Sequence, residues 1–329
     1  MSTVTNRFLP ILGLAGMVAI VGSTQALAQT DTGYPSKPLR LVIPFSAGAA
    51  SDFLGRTVGM KLAELMGQQV VNDNRPGAGG MVGSAIVAKA VPDGYTLMVA
   101  APPHLVNALI HPDAQYRPVD DYTAISQIAA LPNLLVVPSS LAVKTVKDLV
   151  LMAKARPGEL NFGSAGVGSL SHLGGGLFVS ASVINAVHVP FKFFSDALTE
   201  LFTVRIHFYV SPITAVMPYI RDGKLRPLAI AAPVRSPLIP EVPTMSEAAL
   251  AAAQLDVWFG IVAPSGLPTA IVAKLNHEIS LVMNDTQTRE RIERQGARLV
   301  GSTPEAMQQM MRNDFVRFRQ VIATANLKL

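Results

Sequence analysis

The chain has 329 residues, 50% of them apolar and 15% charged, with a formal net charge of +5 and no cysteine. So apolar a chain is not intrinsically disordered, and without cysteine neither a disulfide nor a lipid-anchored thiol can form. Lys144, Lys154, Arg221, Lys224 and the other cations are scattered rather than gathered into a stripe with aromatics, which excludes nucleic acid as the expected partner.

Arg7, the apolar run over 8–22 and Ala26-Leu27-Ala28 have the order of a secretory signal. Residues 1–28 are therefore expected to be cleaved, sending a soluble protein to the periplasm. The remaining ~300 residues suffice for two domains. Strand-like runs over 39–43, 69–71, 96–100, 124–129 and 134–137 alternate with helical periodicity over 52–66 and 83–90, an α/β pattern. Leu54, Val58, Leu62 and Leu65 mark one apolar helix face.

Thr145 with Asp148 three residues later predicts a capped helix ending before Pro157. Further strands are expected over 161–163, 186–190, 206–209, 228–232 and 257–263. A helix is expected from about Ser169, another from Pro268, and a last one from Thr303-Pro304-Glu305. Residues 233–243 hold four prolines and read as an extended connector. The apolar, extended segments 133–139 and 256–263 are the places where the chain could cross between domains. That gives a discontinuous first domain, 29–135 plus 257–329, around a second, 136–256.

Small-residue loops between a strand and a helix are where ligands meet open α/β sheets. Three occur, at 45–52, 75–80 and 161–169. The first has Phe45, Ser46, Ala47, Gly48 and Ala49 leading to Asp52. Unpaired N–H groups at a helix start favour an anion, and with no lysine in the loop a small carboxylate fits better than a phosphate. Asp52 is equally explained as an acid stabilising the helix dipole. In the third loop Ser164, Ala165, Gly166 and Ser169 offer hydroxyl and amide donors, with His172 on the helix that follows. No G-x-S-x-G elbow surrounds either serine, and the six histidines have no metal-binding spacing, so no catalytic residue, metal or cofactor is expected. Arg75 before Pro76 is a further candidate for gripping a carboxylate.

Taken together, several motifs resemble the Bug-type periplasmic solute receptors of tripartite tricarboxylate transporters. They are Tyr34-Pro35-Ser36-Lys37-Pro38, Asn74-Arg75-Pro76-Gly77-Ala78-Gly79-Gly80, Pro92-Asp93-Gly94-Tyr95, Asn161-Phe162-Gly163-Ser164-Ala165-Gly166, Val242-Pro243-Thr244 and Trp258-Phe259-Gly260. The resemblance covers essentially the whole mature chain. It implies a two-lobed type II periplasmic-binding-protein (Venus-flytrap) fold with one small carboxylate between the lobes, and a monomer that delivers it to membrane transporter subunits. In such receptors the loop at 45–52 and the loop at 164–169 face the ligand, and Phe191 stands beside them. The chain departs from the family pattern where Ala49 and Ala50 follow Gly48, where Phe193 and Phe194 follow Lys192, at Thr203-Val204 and at His207. An exported enzyme acting on small organic acids and a ligand-sensing receptor without its own transporter are the competing readings.

Overall fold

The computed structural model describes residues 1–3 and 33–324. The signal-peptide expectation falls largely on residues outside these. By its internal contacts the chain divides into Met1–Tyr34 and Pro35–Leu329, and every element below belongs to the second unit. In chain order these begin with β1 (Leu39–Ile43), α1 (Ala50–Met66), β2 (Val70–Asn74), α2 (Met81–Ala88), β3 (Thr96–Ala100), α3 (Pro102–Ile110) and β4 (Tyr122–Leu131). There follow β5 (Asn133–Pro138), α4 (Val146–Ala155), β6 (Leu160–Ser164), α5 (Leu170–Ser182), β7 (Ala186–Pro190), α6 (Phe194–Phe202), β8 (Phe208–Pro212), α7 (Ile213–Arg221) and β9 (Leu225–Ile230). The last are β10 (Val257–Pro264), α8 (Thr269–Asn284), α9 (Thr286–Glu293), β11 (Arg298–Leu299) and α10 (Pro304–Thr324).

The strands form a 6-stranded sheet in the order β11-β4-β10-β3-β1-β2 and a 5-stranded sheet in the order β7-β6-β8-β5-β9. In the first, β1 lies parallel to β2 and β3, while β10 runs antiparallel to β3 and β4. In the second, β6 is parallel to β7 and β8, and β5 is antiparallel to β8 and β9. The chain passes between sheets at Pro132, where β4 ends and β5 begins, and returns between Ile230 and Val257. The segment 133–139 is thus mostly a strand of the second sheet, and the first crossing is a single residue. β1, β5 and β10 are buried almost throughout, as strands covered on both faces must be. This is the α/β, two-lobed type II periplasmic-binding-protein architecture.

Local chemistry sets the helix ends. Thr145 and Asp148 form the expected capping box on α4. α1 starts two residues before Asp52, and its buried stripe of Leu54, Val58 and Leu62 stops short of Leu65, which is exposed in the final turn. The sequence reading gives no helix over 102–110, where the structure has α3. Here Pro102 and Pro103 occupy the first helical turn, where no N–H is needed. It also misses α7, which carries Pro218 inside a short helix. Met307, Met311 and Phe318 of α10 are fully buried, with Met310 and Phe315 packed at the core's edge. Val204 takes a φ of 58°, the left-handed region that a β-branched residue enters only under strain.

Candidate functional site

β1 delivers the first loop to the start of α1. The cap residue Ala49 has no side chain able to bond the helix amides, so α1 begins uncapped. Asp52 braces the loop from within. Its Oδ2 accepts the Gly48 amide at 2.9 Å, and its Oδ1 accepts Arg56 Nε and Asn74 Nδ2, each at 2.9 Å. Asn74 also donates to the Phe45 carbonyl at 3.1 Å, and Arg56 donates to Asn74 Oδ1 at 2.7 Å. Burial raises the Asp52 pKa, but the Gly48, Asn74 and Arg56 bonds outweigh it and hold the carboxyl below its ordinary range. Within the loop the Ala49 amide bonds the Ser46 carbonyl. The amides of Ser46, Ala47, Ala50 and Ser51 meet no acceptor among the described residues, and those of Ala50 and Ser51 sit at the positive end of a 17-residue helix.

The second loop, between β6 and α5, is braced by its own side chains, although the amides of Val167, Leu170 and Ser171 meet no acceptor among the described residues. The Ala165 amide donates to Ser171 Oγ at 2.9 Å, Gly166 to Ser164 Oγ at 3.2 Å, and Gly168 to His172 Nδ1 at 3.2 Å. Ser169 caps α5, receiving the His172 amide while its own hydroxyl donates to the Gly166 carbonyl at 2.7 Å. Ser164 is fully buried and its Oγ lies 2.6 Å from His188 Nε2. His188 stacks on His172 with ring centroids 3.7 Å apart and planes 10° apart, beside Phe162. Burial pushes both imidazoles down to about 4, and the neighbouring His188 adds to the effect on His172. With Nδ1 accepting from Gly168, a neutral His172 carries its proton on Nε2, which has no partner among the described residues. The Phe191 amide donates to the Ser164 carbonyl at 2.9 Å, extending the β6–β7 pairing past the strand ends.

Asn107 on α3, unnoticed in the sequence, lies between the 75–80 loop and the 161–169 loop. Its Nδ2 donates to the Gly79 carbonyl at 2.8 Å, in the loop whose neighbour Gly80 would set a Cβ 3.3 Å from the Phe45 ring. On the other side Gly168, at φ 75°, leans so close that a Cβ there would lie 2.5 Å from Ile110 and 3.4 Å from Asn107 Oδ1. A single asparagine within the apolar run 105–110 was the available signal.

A cavity of about 430 Å³ opens beside the first loop. Gly48, Ala50, Asp52 and Phe53 line it together with Arg56, Leu131, Phe259, Arg291 and Gln295, and with Thr214 from the start of α7. Ser164, Ala165, Gly166, Ser169, His172 and Phe191 are not among its walls. This cavity is therefore not shared between the two loops. Arg291 lies over the Phe53 ring, 5.7 Å from its centroid, and has no acidic partner among the described residues. Arg75 is bound to Asp73 at 3.0 Å, which makes it part of a local ion pair. Of the two phenylalanines after Lys192, Phe194 packs on Tyr209 with centroids 5.5 Å apart, whereas Phe193 is exposed. His207 accepts the Asn161 amide at 3.0 Å and so serves the β6 start. Among the described residues no group of three His, Asp or Glu side chains could hold a metal, and no helix is long and apolar enough to cross a membrane.

The model of the tripartite tricarboxylate transporter family receptor matches residues 54–327. The chain belongs to this receptor family. It is a solute receptor of the Bug type, not an enzyme. The protein of the tcbD–tcbE intergenic region in a Pseudomonas species is 32% identical over 315 residues, covering 95% of this chain and 94% of its own. Protein BugT of Bordetella pertussis is 30% identical over 321 residues, covering 97% and 98%. Among solved structures, an R. palustris protein with adipate is 34% identical with a TM-score of 0.74, covering 89% of this receptor and 98% of that chain. MatC from Rhodopseudomonas palustris with bound malate is 30% identical with a TM-score of 0.71, covering 88% and 100%.

Proposed function

We propose that this receptor works in the periplasm, after removal of its first 28 residues, binding a small carboxylate between two lobes and delivering it to membrane transporter subunits. The chain crosses between the lobes at Pro132 and between Ile230 and Val257, close to the bounds 29–135 plus 257–329 and 136–256 expected from the sequence. The observation that carries the carboxylate reading is the uncapped start of α1, whose open amides stand at a cavity also lined by Arg56 and Arg291. Helix dipole, free donors and two guanidinium groups favour one carboxylate there. The adipate and malate held by two relatives support the same class of ligand.

The ligand contacts are proposed at Phe45, Ser46, Ala47, Gly48 and Ala49 on the first side, with Asp52 acting through its brace on Gly48. On the second side they are Ser164, Ala165, Gly166, Ser169, His172 and Phe191. Charge-assisted hydrogen bonds contribute about 1.5–3 kcal/mol each, so micromolar affinity, about −8 kcal/mol net, needs both sides. Contact with both lobes is also what favours closure, since only differential contact shifts a hinge equilibrium. Native mass spectrometry of freshly purified protein is the test. A co-purified organic acid that calorimetry then shows to rebind supports the reading, and failure of every acid tried to bind overturns it. Delivery, as opposed to sensing, is tested by co-purification with large and small membrane subunits in the presence of the acid.

A further inference from the structure

Three charged side chains line the cavity beside the α1 start, and two of them are already engaged. Asp52 accepts from Gly48, Asn74 and Arg56, while Arg56 uses its Nε on Asp52 and a terminal nitrogen on Asn74. The third is Arg291, in the last turn of α9. The arginines around it are paired, Arg289 with Glu293 at 3.7 Å and Arg294 with Glu290 at 3.0 Å. Arg291 has neither an acid nor a hydrogen-bond acceptor among the described residues. Its guanidinium lies instead over the ring of Phe53, in the first turn of α1. That contact holds a planar fork of donors at the cavity that Ala50, whose amide is open, also lines.

The walls of this cavity come from both halves of the molecule. Thr214 starts α7, which packs on the second sheet, and the turn after α9 presses against it. A Cβ on Gly296 would lie 3.2 Å from Thr214 Cγ2 and 3.4 Å from Ile213. Arg291 is exposed to water, but a ligand held here would be covered from two sides. Withdrawing that water strengthens an ion pair well beyond what an open surface gives.

Resting on the carboxylate reading above, we infer that Arg291 is the residue that anchors the ligand's carboxylate and sets the preference for an acid over its neutral analogue. The guanidinium grips the carboxylate bidentately, and the open α1 amides take up the remaining lone pairs. Arg56 acts at one remove, holding Asp52 and through it the Gly48 amide. Arg291 lies far along the chain from both small-residue loops, so no local motif marks it.

Calorimetry on the mature receptor with adipate, malate and hexanoate, each beside its amide, tests this. For every acid that binds, the wild type should prefer the acid to the amide. Arg291→Gln should cut that preference about tenfold or more, the loss of a charge-assisted pair. The melting temperature should fall by no more than a few degrees, because only a ring contact and a charge at the helix end are lost. Arg291→Lys should recover part of the preference, since it returns the charge without the fork. Arg294→Gln removes the same charge from the same end of α9, outside the cavity walls, and should leave affinities within about twofold of wild type. An unchanged acid preference in Arg291→Gln overturns the inference and leaves the carboxylate reading standing. An equal loss in Arg294→Gln overturns it as well, since a general field would then replace the contact. If none of the three acids binds the wild type, the carboxylate reading itself fails and this inference falls with it.

Discussion

The loops after β1 and after β6 are built on the same plan, a parallel strand, a run of small residues and a helix start, yet they are braced differently. The first has alanine at the cap position and one buried acid, Asp52, bracing it, so the leading amides of α1 stay available. The second has serine at the cap, and Ser164, Ser171 and His172 take up the amides of Gly166, Ala165 and Gly168, while those of Val167, Leu170 and Ser171 meet no acceptor among the described residues. Capability for an anion therefore depends less on glycine content than on whether nearby side chains already satisfy the backbone.

The sharpest way to break this comparison is at Gly168, where the second loop meets Ile110 and Asn107. Gly168→Leu combines a left-handed backbone, about 1–3 kcal/mol of strain, with a side chain that has no room. It should force the halves apart, seen as an enlarged radius by small-angle scattering with ligand present and as a melting temperature lower by several degrees. Asp52→Asn comes next. It removes charge-assisted bonds from Gly48 and Arg56 and should lower stability by about 1.5–3 kcal/mol in urea melts. If stability holds while ligand selectivity changes, Asp52 contacts the ligand instead.

The stacked histidines give a pH signature specific to the second loop. Their folded pKa, about 4, lies below the unfolded value of 6.5, so the unfolded chain binds more protons between these values. Stability is then complete above pH 6.5 and declines as the pH falls towards 4. His188→Gln should flatten that decline in melts across the range, while a first-loop variant such as Asp52→Asn leaves the histidines' contribution in place. The smallest effect is expected from Ala49→Ser, which gives α1 the cap that α5 has. It should stabilise the fold by about 0.5–1 kcal/mol and weaken binding of an acid by calorimetry, because the new hydroxyl takes up an α1 amide. Tighter binding would mean that those amides do not face the ligand.

Much of the fold was legible because its signals are local. The α4 capping box, the proline at the start of α10 and the apolar strands need only neighbouring residues to be read. α3 and α7 were not read from the sequence, and both carry prolines, Pro102 and Pro103 in the first turn of one and Pro218 inside the other. At the candidate site the sequence marked both loops and placed Asp52 in the first turn of a helix. It carried no sign that Asn74, 22 residues away, and Arg56 would share its carboxylate. Nor could it separate Phe193 from Phe194, since adjacent identical residues differ only in what lies opposite each.

By itself, then, the order of residues determined an α/β chain with donor-bearing loops at strand ends, because periodicity, caps and turns act over a few residues. Only the tertiary structure decided which of those donors remain open. Hydrogen-bond satisfaction depends on partners such as Asn74, Asn107 and His188 that are distant in the chain and meet the loops only once the sheets are formed.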